Sequence, residues 1–297
     1  MSTRSHELDP VELEILRNQL ESVAEEMGHV LIRGAYPPNI TERQDCSTAL
    51  FDADGPIVAQ AEHIPVHLGA MPEAVDAVLD RDPEPGDVFA LDDPFAGGTH
   101  LPDVTLVSPI APDSDGPNAK ADALDTATDD GSNPILGYAV SRAHHADVGG
   151  MAPGSMRAGA RDIYQEGLRI PPTRLVADGE TDEETESLLL ANVRNPDERR
   201  ADLRAQVAAN ERAEARVGDL LADHGDRLLA VFDAVVDYSR GRVESELADL
   251  PDGTYRASDA VEGDGVTDDD IPVEVAVTVD GATVEVDFAG TADQVTG

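Results

Sequence analysis

Five of the eight histidines in this 297-residue chain, His63, His67, His100, His144 and His145, fall between residues 63 and 145. Around them stand the carboxylates Glu42, Asp45, Glu62, Asp92, Asp93, Asp103 and Asp147. Neutral imidazole and carboxylate together bind divalent metals, and a mixed nitrogen and oxygen set suits Mn, Fe or Zn better than a thiolate-seeking ion. Two segments concentrate these groups. In Asp92-Asp93-Pro94-Phe95-Ala96-Gly97-Gly98-Thr99-His100-Leu101-Pro102-Asp103, two glycines permit close backbone approach and a proline opposes a helix. His100 and Asp103 then sit on a loop, both able to turn toward one ion. The second segment is Ser141-Arg142-Ala143-His144-His145-Ala146-Asp147-Val148-Gly149-Gly150.

Apolar strands at 104–110 and 135–140 must position these segments. Paired as a hairpin, they set the end of one beside the start of the other, and His144 or His145 lands near His100 and Asp103. In extended backbone His144 and His145 face opposite ways, so at most one of the two ligates through this geometry. Between the strands, 111–134 carries six Asp and Lys120 among Ser, Gly, Pro and Ala. That composition buries little and reads as a solvated acidic insertion. His63 and His67 are four apart, but Pro65 between them opposes a helix, so the helical zinc-protease spacing is not met. That pair stands open between structural and functional roles. His6, His29 and His224 read as ordinary surface or helix residues.

Elsewhere, Asp9-Pro10 opens an amphipathic helix whose apolar positions Leu13, Leu16, Leu20, Val23, Met27 and Val30 recur at spacings of three and four. A hairpin over 47–60, a helix over 71–79 and a strand over 88–91 follow. Asn195-Pro196 repeats the cap-plus-proline start of a long helix to about 222, with another over 227–247. Strands at 254–260, 273–279 and 283–288 form a sheet that reads as partial. The expected fold is α+β with mixed sheets. Its units are 1–190 (N-terminal helix and β-rich metal-site region), 191–250 (helical) and 251–297 (partial sheet, continued in a longer chain).

The charge sum of 21 basic and 61 acidic residues is −40, which repels phosphate backbones and anionic lipid. Nucleic acid and membrane surfaces are thereby excluded as partners. All the basic residues but Lys120 are Arg, and aromatics make up 3%. This composition resembles that of a protein from a salt-loaded cytoplasm, where a screening length of ~3 Å at 1 M salt relieves the self-repulsion. No signal-like N-terminus, no apolar run of ~18 residues and a single cysteine point to a cytoplasmic chain. Lys120 sits in the insertion, so no phosphate-loop Gly-Lys pair exists. Ser155 lacks the Gly-x-Ser-x-Gly frame of a nucleophile, and Cys46 reads as a small packing residue.

In this order the segments resemble the hydantoinase B / oxoprolinase family: the B-type component of N-methylhydantoinase, the C-terminal part of 5-oxoprolinase, and acetone and acetophenone carboxylase large subunits. Besides the two histidine segments, the matching stretches are Asp9-Pro10-Val11, Thr41-Glu42-Arg43-Gln44-Asp45, Ala59-Gln60-Ala61-Glu62-His63-Ile64-Pro65-Val66-His67-Leu68-Gly69, Pro153-Gly154-Ser155-Met156, Gln165-Glu166-Gly167, Ile170-Pro171-Pro172 and Asn192-Val193-Arg194. Departures fall at Arg157-Ala158-Gly159-Ala160, at Ala201-Asp202-Leu203 and in the acidic insertion. Members run longer, so the chain looks like an N-terminal half.

The resemblance implies a division of labour. A hydantoinase A-type ATPase partner of actin-like fold binds ATP and phosphorylates a carbonyl or enol oxygen. The B-type chain then completes the reaction at a divalent metal site, Mn in the acetone carboxylase relatives. The family's His-x-x-Asp and downstream His map onto His100, Asp103 and His144 or His145. We expect metal ligands at His100, Asp103 and His144, and catalytic proton carriers at His145, Asp147 and His67. The implied activity is ATP-dependent ring opening of a cyclic amide such as hydantoin, N-methylhydantoin or 5-oxoproline, in a hetero-oligomer. A ketone carboxylase subunit is the alternative within the family, and a non-catalytic metal-stabilised scaffold for the ATPase is the alternative of another class.

Overall fold

The computed structural model describes residues 8–64, 67, 69–112 and 134–297. The acidic insertion, apart from its ends, lies outside the described residues, as do His6 and Lys120. Helix α1 (Pro10–Gly34) starts as its sequence indicates: the Asp9 carboxylate accepts from the Val11 N–H at 3.2 Å, a cap worth about 1 kcal/mol. It buries Leu16, Leu20, Val23, Met27 and Leu31 along one stripe. A one-turn helix, α2 (Pro38–Thr41), follows where the sequence indicates only a stop.

The central element is a seven-stranded sheet. Its strands are β1 (Cys46–Asp52), β2 (Ile57–Glu62), β3 (Val88–Leu91), β4 (Asp103–Ile110), β5 (Gly137–His144), β6 (Thr173–Ala177) and β7 (Glu180–Thr181). They run in the order β2-β1-β5-β4-β3-β6-β7. Every pairing among the described residues is antiparallel, which narrows the mixed arrangement expected while leaving the α+β class intact. The period of two sorts side chains to two covered faces. On β1, Cys46 and Leu50 join the core under α1, whereas Ala49 and Phe51 pack against α3 (Met71–Leu79). On β5, Ala139 and Ala143 repeat the first choice, and Tyr138 and Val140 the second.

Helix α4 (Glu183–Ala191) leads to two long helices, α5 (Pro196–His224) and α6 (Asp226–Ala248), which share the α1 core through Ala209, Ala213, Val217, Leu228 and Val231. Asn195 precedes the proline of α5 as expected but makes no capping bond; its Nδ2 donates instead to Glu198 Oε2 at 3.3 Å. The chain finishes in a second, three-stranded antiparallel sheet of β8 (Gly253–Glu262), β9 (Asp270–Asp280) and β10 (Thr283–Asp287), ordered β10-β9-β8. The registers line up Tyr255, Val277 and Val286 on one face, with Val261, Ile271, Val279 and Val284 beside them. That face is uncovered at its edges: Tyr255, Val261 and Val286 are each about half exposed. Among the described residues, no helix is long and apolar enough to cross a membrane.

Candidate metal centre

The expected hairpin forms, and its register decides what meets. β4 and β5 pair from Ile110 opposite Gly137 to Asp103 opposite His144. β5 therefore runs four residues beyond its apolar stretch, through Ser141-Arg142-Ala143-His144. The β1 end lies alongside: the His144 N–H donates to the Asp45 carbonyl at 3.0 Å, and Asn39 Nδ2 donates to the His144 carbonyl. Three neighbouring strands thus end together at the mouth of the Asp92–Asp103 loop.

At that mouth Asp103 is shared by two imidazoles. Its Oδ1 lies 2.7 Å from His144 Nδ1, and its Oδ2 lies 3.0 Å from His100 Nδ1. Thr99 Oγ1 donates to Oδ2 at 2.7 Å. His100, Asp103 and His144 each offer one donor atom, and these atoms lie within 4.8 Å of one another. The carboxylate is buried, His144 partly so, and the His100 side chain is 49% exposed, so the group opens to solvent on one side. Burial alone would raise the Asp103 pKa. The bonds from His144 and Thr99, with the charges of His144 and His100, overcome that and hold it well below the usual carboxylate range. For His144, burial opposes protonation, but Asp103 reverses this and raises its pKa.

His67 belongs to the same neighbourhood. It is buried, its Nδ1 lies 3.0 Å from Ser47 Oγ, and among the described residues its Nε2 has no hydrogen-bond partner while lying 3.9 Å from Asp45 Oδ1. Burial lowers its pKa; Asp103 counteracts that and Arg142 adds to it, so these charges sense one another.

The structure does not bring the other two predicted residues to this group. His145 turns to the opposite face, where Nε2 meets Gln206 Oε1 at 2.8 Å, and burial pulls its pKa down to about 4. Asp147 accepts from the Gly149 and Gly154 N–H groups, each at 3.0 Å, and pairs with Arg194 at 2.8 Å. Its bonds organise the glycine-rich turn. Ser155 is similarly occupied, accepting from the Val148 N–H at 2.9 Å and donating to the Gly149 carbonyl at 3.0 Å. Burial raises the Cys46 thiol pKa to about 12, in keeping with a packing role. His63 lies apart from the group, against Gly28 of α1. Sequence reasoning missed Thr99, Ser47 and Arg142; each stands one or two positions from a group that it singled out.

The hydantoinase B/oxoprolinase family profile matches residues 9–297. The chain belongs to the hydantoinase B/oxoprolinase family. Among curated members, an uncharacterised protein of Methanocaldococcus jannaschii is 35% identical over 291 residues, which cover 96% of this chain and 48% of that protein. A Pseudomonas protein provisionally named as the B-type component of a D-/L-hydantoinase is 30% identical, with 97% of this chain and 48% of that protein covered. The 5-oxoprolinase of Dictyostelium discoideum is 32% identical over 94% of this chain and 21% of its own length. The chain therefore spans about half, or less, of these relatives. Among solved structures, the ATP-dependent caprolactamase of Pseudomonas jessenii superposes with a TM-score of 0.80 at 28% identity, covering 94% of this chain and 46% of that one. An acetone carboxylase shares the fold, with a TM-score of 0.81 at 19% identity over 96% of this chain and 38% of that one.

Proposed function

We propose that this chain is the B-type part of an ATP-dependent cyclic-amide hydrolase, completing ring opening of a carbonyl-phosphorylated intermediate at a divalent metal held by His100, Asp103 and His144. The observation that carries this reading is the register that sets Asp103 opposite His144 with His100 on the same carboxylate. The donor set fits such an ion: an ionised carboxylate with an imidazole at each oxygen. Buried His67, which feels the charges of Asp103 and His144, has no partner for its Nε2 among the described residues. Mn suits it, with Fe or Zn as further candidates. The likeness to a caprolactamase at 28% identity supports an amide over a ketone substrate.

A lactam resists hydrolysis because amide resonance must be lost and nitrogen leaves poorly. Phosphorylating its oxygen produces an imidate-like electrophile, and the absence of a phosphate-loop lysine fits an A-type ATPase partner as the ATP-binding subunit. The metal would supply a positive charge that stabilises the developing oxyanion and acidifies a water. Asp103 keeps its charge at neutral pH and gathers both imidazoles by hydrogen bonds to their Nδ1 atoms; an ion held by all three residues would take the place of those bonds. His67, neutral at the same pH and bonded through Nδ1, presents Nε2 as the group in this neighbourhood best placed to take a proton. The compartment this implies is cytoplasmic.

The test compares wild type with His100→Ala after purification in molar salt, measuring metal content per chain with circular dichroism as a folding control. About one Mn, Fe or Zn per wild-type chain and none in a folded variant is expected. A folded wild type that takes up no divalent metal overturns the site. A variant that loses metal only by unfolding favours the scaffold reading. Ring opening of hydantoin and 5-oxoproline, assayed with an ATPase partner, then separates amide from ketone chemistry.

A further inference from the structure

We propose that Arg142 is the positioning residue of this centre, one buried guanidinium tying together the three segments that supply its donors. The inference rests on the metal reading above. Arg142 is fully buried on β5, two residues before His144, so both side chains project from the same face. Its Nε donates to Thr105 Oγ1 at 2.7 Å. Thr105 stands directly across from Arg142 in the β4–β5 register, two residues after Asp103. Its Nη2 donates to the Gly97 carbonyl at 2.9 Å, three residues before His100. Every donor of the centre is thus braced within three residues by the same side chain.

An arginine is a costly way to fill this space. Among the described residues its Nη1 has no partner and no carboxylate pairs with the guanidinium. The next register pair along this face, Val107 and Val140, is apolar. The negative charge that Arg142 does feel is that of Asp103, which favours its protonated form against burial. The Gly97 carbonyl is held from both sides: Gly97 has φ +85°, and a Cβ there would strike the backbone of α3 at Glu73 and Ala74. Lysine carries the charge but not the fixed planar fork that reaches Thr105 and Gly97 together.

The experiment titrates Mn(II) calorimetrically into wild type, Arg142→Lys, Thr105→Val and Thr105→Ser, with circular dichroism for folding. Amide hydrogen exchange over 97–103 is measured without metal. Arg142→Lys and Thr105→Val should stay folded, bind Mn(II) about 10- to 100-fold more weakly, and exchange faster over 97–103 while β3 is unchanged. Thr105→Ser, which keeps the hydroxyl, should restore both. Wild-type affinity and exchange in folded Thr105→Val overturn the proposal, and this variant decides it should Arg142→Lys fail to fold. If wild type binds no Mn(II), the metal reading falls. Loop exchange then judges the brace alone: faster exchange in Thr105→Val supports it and unchanged exchange overturns it.

Discussion

Two carboxylates at opposite ends of one loop are driven in opposite directions by their surroundings. Asp103 is held ionised by two imidazoles and a hydroxyl. Asp92 is fully buried with one oxygen unpartnered among the described residues, and burial, reinforced by Asp93 and Asp103, raises its pKa to about 8 despite the Ile170 N–H. Between its ordinary 3.8 and about 8, the folded chain therefore holds a proton that the unfolded chain has released. By linkage, stability falls as the pH rises through that window. Asp92→Asn keeps an acceptor for Ile170 without a charge to bury, so it should flatten the decline and raise the denaturation midpoint at the alkaline end, as urea melts across the window would show. An equally steep decline in the variant would assign it to other groups. At this scale the sequence was legible up to a choice. Its period of two says that His144 and His145 face opposite ways, but which one meets the loop depends on where β5 ends, and Arg142 and His144 carry no apolar signal to mark that end.

The helices and strands that hold the centre were legible where apolar spacing was regular. α1, α3, the β1–β2 hairpin and the β4–β5 pair stand within a few residues of expectation. The unexpected elements have weaker patterns. α4 buries two adjacent leucines, Leu189 and Leu190, without a helical stripe, and its start is visible only in the Asp182 cap that accepts from Glu184 and Thr185. β7 is two exposed residues. The long burial of polar side chains on α5 was also invisible: Gln206 and Asn210 donate to the carbonyls of Val104 and Leu106, so this helix grips the sheet partly by hydrogen bonds. The packing of the site loop on α3 makes a prediction for elements as units. Gly97→Ala must displace either the loop or the helix, because the left-handed backbone and the contact with Ala74 cannot both survive. It should cost about 2 kcal/mol in urea unfolding and weaken metal uptake with it. A variant as stable as wild type would show that the loop is free to shift.

For the molecule as a whole, the dominant quantity is a formal charge of −40 on 297 residues. Repulsion among those carboxylates opposes the compact state at low ionic strength and fades as the screening length falls to ~3 Å near 1 M. The denaturation temperature should therefore climb continuously with KCl into the molar range, and a plateau by about 0.2 M would remove the case for a salt-adapted chain. The C-terminal sheet adds a second dependence of opposite consequence. With apolar side chains on one side and Thr254, Arg256, Glu274 and Glu285 on the other, it is an amphiphile attached to a polyanion. In dilute buffer the polyanion keeps such faces apart; in brine that barrier collapses while water's aversion to exposed valine remains. The salt that steadies each molecule should thus also make it adhesive, with light scattering that rises with ionic strength and subsides in Val286→Lys.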